Sequence, residues 1–330
     1  MSWVERLQSI FVAAAALAGL GIGLISPLGE VGQYVVIPAL LVMLTAVFMQ
    51  MDASHVGEVR RARGLVMVSL ILNYAFTPAL AWALGSGLLG DQPDLRIGLL
   101  LLLVTPCTDW YLIFTAMARG HTGIAAALMP VNLLLQLVLL PIYVLLLSGE
   151  AAMVDAGTLA EAVLLMLLTP LVAALGLRWA AVRLKGPRWR EQQLNQWASR
   201  LVIPLLCLAV LAMFAWQAPV VAENGLEILL LVPPLAIFFM VLPVVSTAVA
   251  WLLRLPGPQR VTLTMATTAR NSPIALGIAV AAFPDRPLIA VALVVGPLIE
   301  LPVLAVLSQI IRYRGRHHTT GGESTPSSAQ

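Results

Sequence analysis

Three charged side chains stand inside apolar stretches of this 330-residue chain: Asp109, Arg270 and Glu300. At the centre of a bilayer each would cost ~2.5–3.5 kcal/mol even on the lenient insertion scale, so each must pair, lose its charge or face water. Two of them lie in polar interruptions. One reads Leu103-Val104-Thr105-Pro106-Cys107-Thr108-Asp109-Trp110; the other runs from Thr264 through Ala269-Arg270-Asn271-Ser272 to Pro273. Each holds a proline, which removes a backbone donor and breaks a helix locally. Each also holds hydroxyls that can satisfy the freed backbone groups. Two readings stay open for Asp109 and Arg270: a salt bridge tying the breaks together, or an Arg270 that meets an anionic substrate while an acid carries a proton.

Glu300 sits in Gly296-Pro297-Leu298-Ile299-Glu300-Leu301-Pro302. A lone carboxyl in such a run suits a proton carrier; the plainer alternative is a carboxyl held by hydroxyls or backbone. Asn132 and Gln136 are four residues apart and share a helix face, where both can offer hydrogen bonds to a solute. Cys107 is the cysteine at a break. Its sulfur is a soft ligand for thiophilic species, although cysteine is also a common small buried hydrophobe. The four histidines, His55, His121, His317 and His318, fall in loops or the tail. No metal motif and no nucleophile–base set lies in the apolar runs, so neither an enzyme, a metal nor a cofactor is expected.

The elements that must position these groups follow from composition. Hydrophobic residues make up 60% of the chain and charged residues 11%, against about half and a quarter in soluble domains. A water-soluble globule, a disordered chain and a nucleic-acid binder are excluded. The partners expected are the lipid bilayer and a small-molecule substrate, with oligomeric state left open. Ten long apolar runs without period-2 alternation can be read, near 8–25, 35–51, 64–88, 95–118, 122–147, 155–182, 199–217, 225–253, 258–283 and 286–312. They predict ten transmembrane helices rather than a β-barrel. The first run could instead be a signal peptide, but a further span follows it almost at once. Positive charge clusters at 60–63, 178–200, 254–260 and 312–316, whereas the opposite side receives Arg96 and Arg286. The positive-inside rule then puts both termini in the cytoplasm and the protein in the cytoplasmic (inner) membrane.

Sliding the chain by 164 residues lays span 3 on span 8, span 4 on span 9, and Gln136 on Glu300. Five spans per half is an odd number, so the halves must be inverted, which is a secondary-transporter plan. The expected organisation is a first repeat over 1–150, a second over 151–312, and a disordered cytoplasmic tail over 313–330. Broken spans 4 and 9 would carry the substrate site.

The stretch Thr267-Thr268-Ala269-Arg270-Asn271-Ser272, with Ala279–Phe283 and the Gly-Pro-Leu-x-Glu-x-Pro-Val run from Gly296, resembles the arsenite permeases of the bile acid:sodium symporter superfamily. The resemblance covers essentially all ten spans. It implies an all-α fold with a panel from spans 1, 2, 6 and 7 and a core from spans 3–5 and 8–10, in which broken spans 4 and 9 cross. It implies functional roles for Cys107 and Glu300. Sodium-coupled members carry an acid where Ala266 stands, and here a cation, Arg270, adjoins Asn271; protons rather than sodium are therefore the expected coupling ion. The arsenite permeases have an acid where this chain has Ser272-Pro273, and Asp109 is outside their span-4 pattern, so the chain looks like a divergent branch. The expectation is proton-coupled efflux of arsenite or a similar metalloid oxyacid by alternating access. Cys107, Thr108, Asn132, Gln136, Arg270, Asn271 and Ser272 would contact substrate, and Glu300 and Asp109 would couple the proton. The alternative is a small-organic-anion carrier of the same fold.

Overall fold

Long apolar runs punctuated by proline dictate the element list. The computed structural model describes residues 3–50, 57, 62–108, 110–147 and 156–320. Among them there is no strand, and the principal helices are α1 (Trp3–Ile25), α2 (Gly32–Met49), α3 (Arg63–Leu88), α4 (Pro93–Leu103), α5 (Trp110–Met117), α6 (Thr122–Leu147), α7 (Gly157–Lys185), α8 (Pro187–Trp216), α9 (Val232–Leu252), α10 (Gly257–Thr268), α11 (Ser272–Ala282) and α12 (Pro287–Thr320). Seven helical stretches among the described residues are long and apolar enough to cross a membrane, and Ile10–Ile25 and Ser272–Ala282 are shorter apolar helices. The remaining long runs are each divided: α4 departs from helix over the described residues 104–108 before α5, and α10 and α11 are separated by residues 269–271. The protein is thus an integral membrane protein built from helices.

Contacts sort the helices into two groups. In one, α2 packs along α8 and α7, and α1 packs along α8. The seam is made by small residues. A Cβ added at Gly19, Gly23, Gly29 or Gly32 would lie 2.3, 2.1, 2.5 or 2.2 Å from the carbonyl oxygen of Leu211, Ala215, Ala215 or Ala212 on α8. Lipid supplies no hydrophobic drive between helices, so such backbone-to-backbone closeness is how dispersion holds them. In the other group α4 packs on α3 and α12, α10 on α9 and α5, and α11 on α12. The groups meet where α11 lies against α2 and α7; there Gly277 accommodates Met166.

Three long helices carry one π-turn each, Leu72–Phe76 in α3, Leu164–Leu168 in α7 and Arg190–Leu194 in α8. Such bulges re-aim side chains and gather at functional sites. The first contains Asn73. Pro78, one turn on, offers no N–H to the Tyr74 carbonyl, and the Tyr143 hydroxyl donates to that oxygen instead. At the far end, α12 runs to Thr320, past position 313 where the disordered tail was expected to begin. Residues 321–330 lie outside the described residues.

Candidate functional site

Proline and threonine make the two breaks, in different ways. Pro106 cannot donate to the Leu102 carbonyl; the Thr105 hydroxyl donates to it instead at 2.9 Å and reaches Leu101 O at the same distance. In α10, Thr267 and Thr268 donate back to Leu263 O and Thr264 O at 2.8 and 2.7 Å. Ala269 is then extended, with φ −72° and ψ 141°. Asn271 caps α11 by accepting from Ile274 N at 3.1 Å. The sequence suggested that Pro273 makes this second break. The chain instead departs from helix at residues 269–271, and Pro273 sits in the first turn of α11, where its missing N–H costs nothing.

The two breaks cross and pair. Pro106 and Arg270 form an antiparallel bridge. Around it Cys107 N donates to Ala269 O at 3.1 Å, and Asn271 N donates to Thr105 O at 2.8 Å. Every partner here is 164 residues from its counterpart: Pro106 from Arg270, Cys107 from Asn271, Thr105 from Ala269. The two hydrogen bonds exchange with each other under the shift found in the sequence.

Arg270 is 1% exposed. Its NH1 donates to Leu103 O at 2.8 Å and its Nε to Thr268 O at 3.3 Å. Its NH2 donates to Asn73 Oδ1 at 2.9 Å and to Thr267 O. The guanidinium lies 5.3 Å from the centre of the Phe238 ring. The Arg270 main-chain N–H goes to Glu300 Oε1 at 2.7 Å. Asn271 Nδ2 donates to Thr108 Oγ1 at 2.7 Å, a second tie between the breaks. Ser272 Oγ rests against Gly296, where an added Cβ would lie 3.0 Å from it, one turn before Glu300 on α12. Cys107, Thr108, Arg270, Asn271, Ser272 and Glu300 thus form one buried cluster. Asp109 lies outside the described residues, so its pairing with Arg270 is not part of this geometry.

Asn132 and Gln136 approach from α6, and both are fully buried. The Asn132 carbonyl accepts from Tyr74 Oη at 2.7 Å, which joins α6 to the α3 turn that carries Asn73. Neither side-chain amide has a hydrogen-bond partner among the described residues, and the same holds for Ser272 Oγ. An unsatisfied buried amide costs about 1–3 kcal/mol, so these atoms call for a solute or water. Among the described residues no group of three or more His, Cys, Asp or Glu could hold a metal ion.

Asn73 was missed from sequence. Its signal was present: a lone amide in the apolar run Leu70-Ile71-Leu72-Asn73-Tyr74. Besides holding Arg270, it donates to Ala266 O at 3.3 Å.

The signature of the Sodium Bile acid symporter family matches residues 37–224, more than half of the chain. The protein belongs to that family. Arsenical-resistance protein Acr3 of Corynebacterium glutamicum is 26% identical over 88% of this chain and 81% of its own. Arsenical-resistance protein Acr3 of Alkaliphilus metalliredigens is 25% identical over 96% and 94%. An uncharacterized transporter of Synechocystis, slr0944, is 25% identical over 93% and 88%. This member of the symporter family is therefore a multi-pass membrane transporter and not an enzyme, with a bilayer and a small-molecule substrate as its partners.

Proposed function

We propose that this transporter extrudes arsenite, or a similar uncharged metalloid oxyacid, across the cytoplasmic membrane in exchange for protons. The observation that carries the reading is the set of neutral, buried side chains without a partner among the described residues: Asn132 and Gln136 on α6, and Ser272 next to the crossing on α11. Arsenite is an uncharged trihydroxide near neutral pH, and amides and hydroxyls match its donors and acceptors without demanding charge. Cys107, at the crossing, offers sulfur to the metalloid. Thr108 and Asn271, already bonded to each other, line the same place. Two relatives carry arsenical resistance in their names, which agrees with this substrate class.

In the proposed cycle Glu300 carries the coupling proton, taking it up from one side and releasing it on the other, and Asp109 assists. Ten spans in two inverted five-helix repeats, with the α4/α5 and α10/α11 pairs as the broken spans 4 and 9, would supply alternating access. The exchange of hydrogen bonds between repeat mates around Pro106 and Arg270 supports that plan. Both termini would then be cytoplasmic, in keeping with the placement of basic residues. The small-organic-anion alternative needs a guanidinium free to meet a carboxylate, whereas that of Arg270 is engaged by protein oxygens.

The test is arsenite accumulation in everted membrane vesicles with an acid lumen and no sodium. Uptake driven by the pH gradient supports the reading. No uptake in vesicles shown to hold folded protein, or uptake that requires sodium, overturns it.

A further inference from the structure

We infer that the Arg270 guanidinium is a tethered cation, held permanently where a co-transported monovalent cation would bind, so that the carrier runs without an alkali-metal co-ion. For its consequence in transport this rests on the transporter reading above; the cation cage itself stands on geometry alone.

Four oxygens converge on the guanidinium, from Leu103, Thr267, Thr268 and Asn73. Three are main-chain carbonyls at the C-terminal ends of α4 and α10, where two helix dipoles present their negative ends. Carbonyl oxygens at the ends of interrupted helices are the groups with which transporters strip and hold small cations. The Phe238 ring adds a face of matching sign. Water has almost no access, so an unfilled cage would leave these dipoles facing one another without compensation.

The cage also belongs equally to both halves of the chain. Leu103 and Thr267 are repeat mates, 164 residues apart, and the guanidinium donates to both. The cation therefore lies close to the pseudo-twofold relation that exchanges the breaks. A charge placed there clamps both half-helices alike. A mobile ion would leave this position in each cycle, and its gradient would do work; a tethered one cannot leave. The driving gradient must then enter through another group. Glu300, whose Oε1 holds the Arg270 N–H, is the carboxyl at hand.

The experiment uses the purified full-length protein and its Arg270→Ala and Arg270→Lys variants. Thermal unfolding is followed in choline chloride, then with millimolar sodium, potassium, guanidinium or methylguanidinium chloride. The unmodified protein should respond to none of them. Arg270→Ala should unfold several degrees lower, and guanidinium or an alkali cation should raise it saturably by at least half the loss, because a ligand that binds only the folded state stabilises it. Arg270→Lys, whose ammonium fills the cage, should lie between the two and respond to none. An Arg270→Ala protein that is destabilised yet unmoved by all four cations overturns the inference. So does sodium stabilisation of the unmodified protein. If Arg270→Ala yields no folded protein even when extracted in guanidinium, Arg270→Lys decides: its collapse in choline overturns the tethered cation, and its survival supports it. No arsenite enters these measurements, so failure of the proposed substrate and failure of the cation cage are separately visible.

Discussion

Pro106 and Arg270 are bridged to each other across the crossing of two broken helices, and each falls on the other when the sequence is shifted by 164 residues. The pairing is unequal in one useful respect. Arg270 has a main-chain N–H and gives it to Glu300; Pro106, at the matching place, has none to give to Gln136, the counterpart of Glu300. The asymmetry leaves the Glu300 carboxyl engaged at one break and the amide of its counterpart Gln136 without a partner among the described residues.

Glu300→Gln keeps an oxygen for the Arg270 N–H but cannot titrate. The variant should fold, with an unfolding temperature close to that of the parent. Arsenite uptake into acid-lumen vesicles should fall by roughly tenfold or more, and the residual uptake should no longer follow the pH gradient. Uptake that still rises with an acid lumen would assign the proton elsewhere.

Cys107→Ser leaves the main-chain bond to Ala269 O in place, because the backbone makes it. Stability should fall by no more than about 1–3 kcal/mol, the cost of a hydroxyl buried where the thiol stood. Metalloid uptake should drop by about tenfold, reflecting the lost soft ligand. Comparing arsenite uptake with the unfolding temperature separates the two roles of the thiol.

Asn132→Leu and Gln136→Met remove amides that have no partner among the described residues. Each should leave stability unchanged or raise it by about 1–3 kcal/mol, the cost of an unsatisfied buried polar group. Uptake should fall in both. A loss of stability would mean that these amides support the fold rather than the solute.

Gly23→Ala and Gly21→Ala differ by two residues and should differ sharply in outcome. At Gly23 a Cβ would lie 2.1 Å from Ala215 O, and the crowding should cost about 1–3 kcal/mol or more. At Gly21 nothing lies within 4 Å, and alanine should be neutral or favourable by up to about 1 kcal/mol. Unfolding temperatures of the two purified variants check the pair.

Much of this was legible in the residues, for physical reasons. Apolar length and the polar runs around Pro106 and Arg270 announced divided helices; proline alone does not divide one, since α2, α6, α8, α9 and α12 carry interior prolines and stay continuous. The 164-residue correspondence could be read because Gln136 and Glu300 are rare polar points in a uniform background. What stayed hidden depended on direction. The type of Arg270 suggested a partner of opposite charge or an anionic substrate, whereas its donors turn to carbonyls, which no side-chain code records. Asn73 gains its reach from a π-turn, a register change without a sequence signature. The place of the second break moved because Asn271-Ser272-Pro273 is a good helix start as well as a helix breaker.

The glycine seam decides where this molecule can deform. Where α1 and α2 touch α8, main chain approaches main chain, so few rotamers lie between them to rearrange. On the opposite border the contact at Gly277 is made by the Met166 thioether, with Leu40 behind it. An unbranched side chain with three rotatable bonds is the adaptable filler of protein interiors. If the carrier works by the proposed alternating access, that thioether border, rather than the glycine seam, is where one helix group would slide on the other.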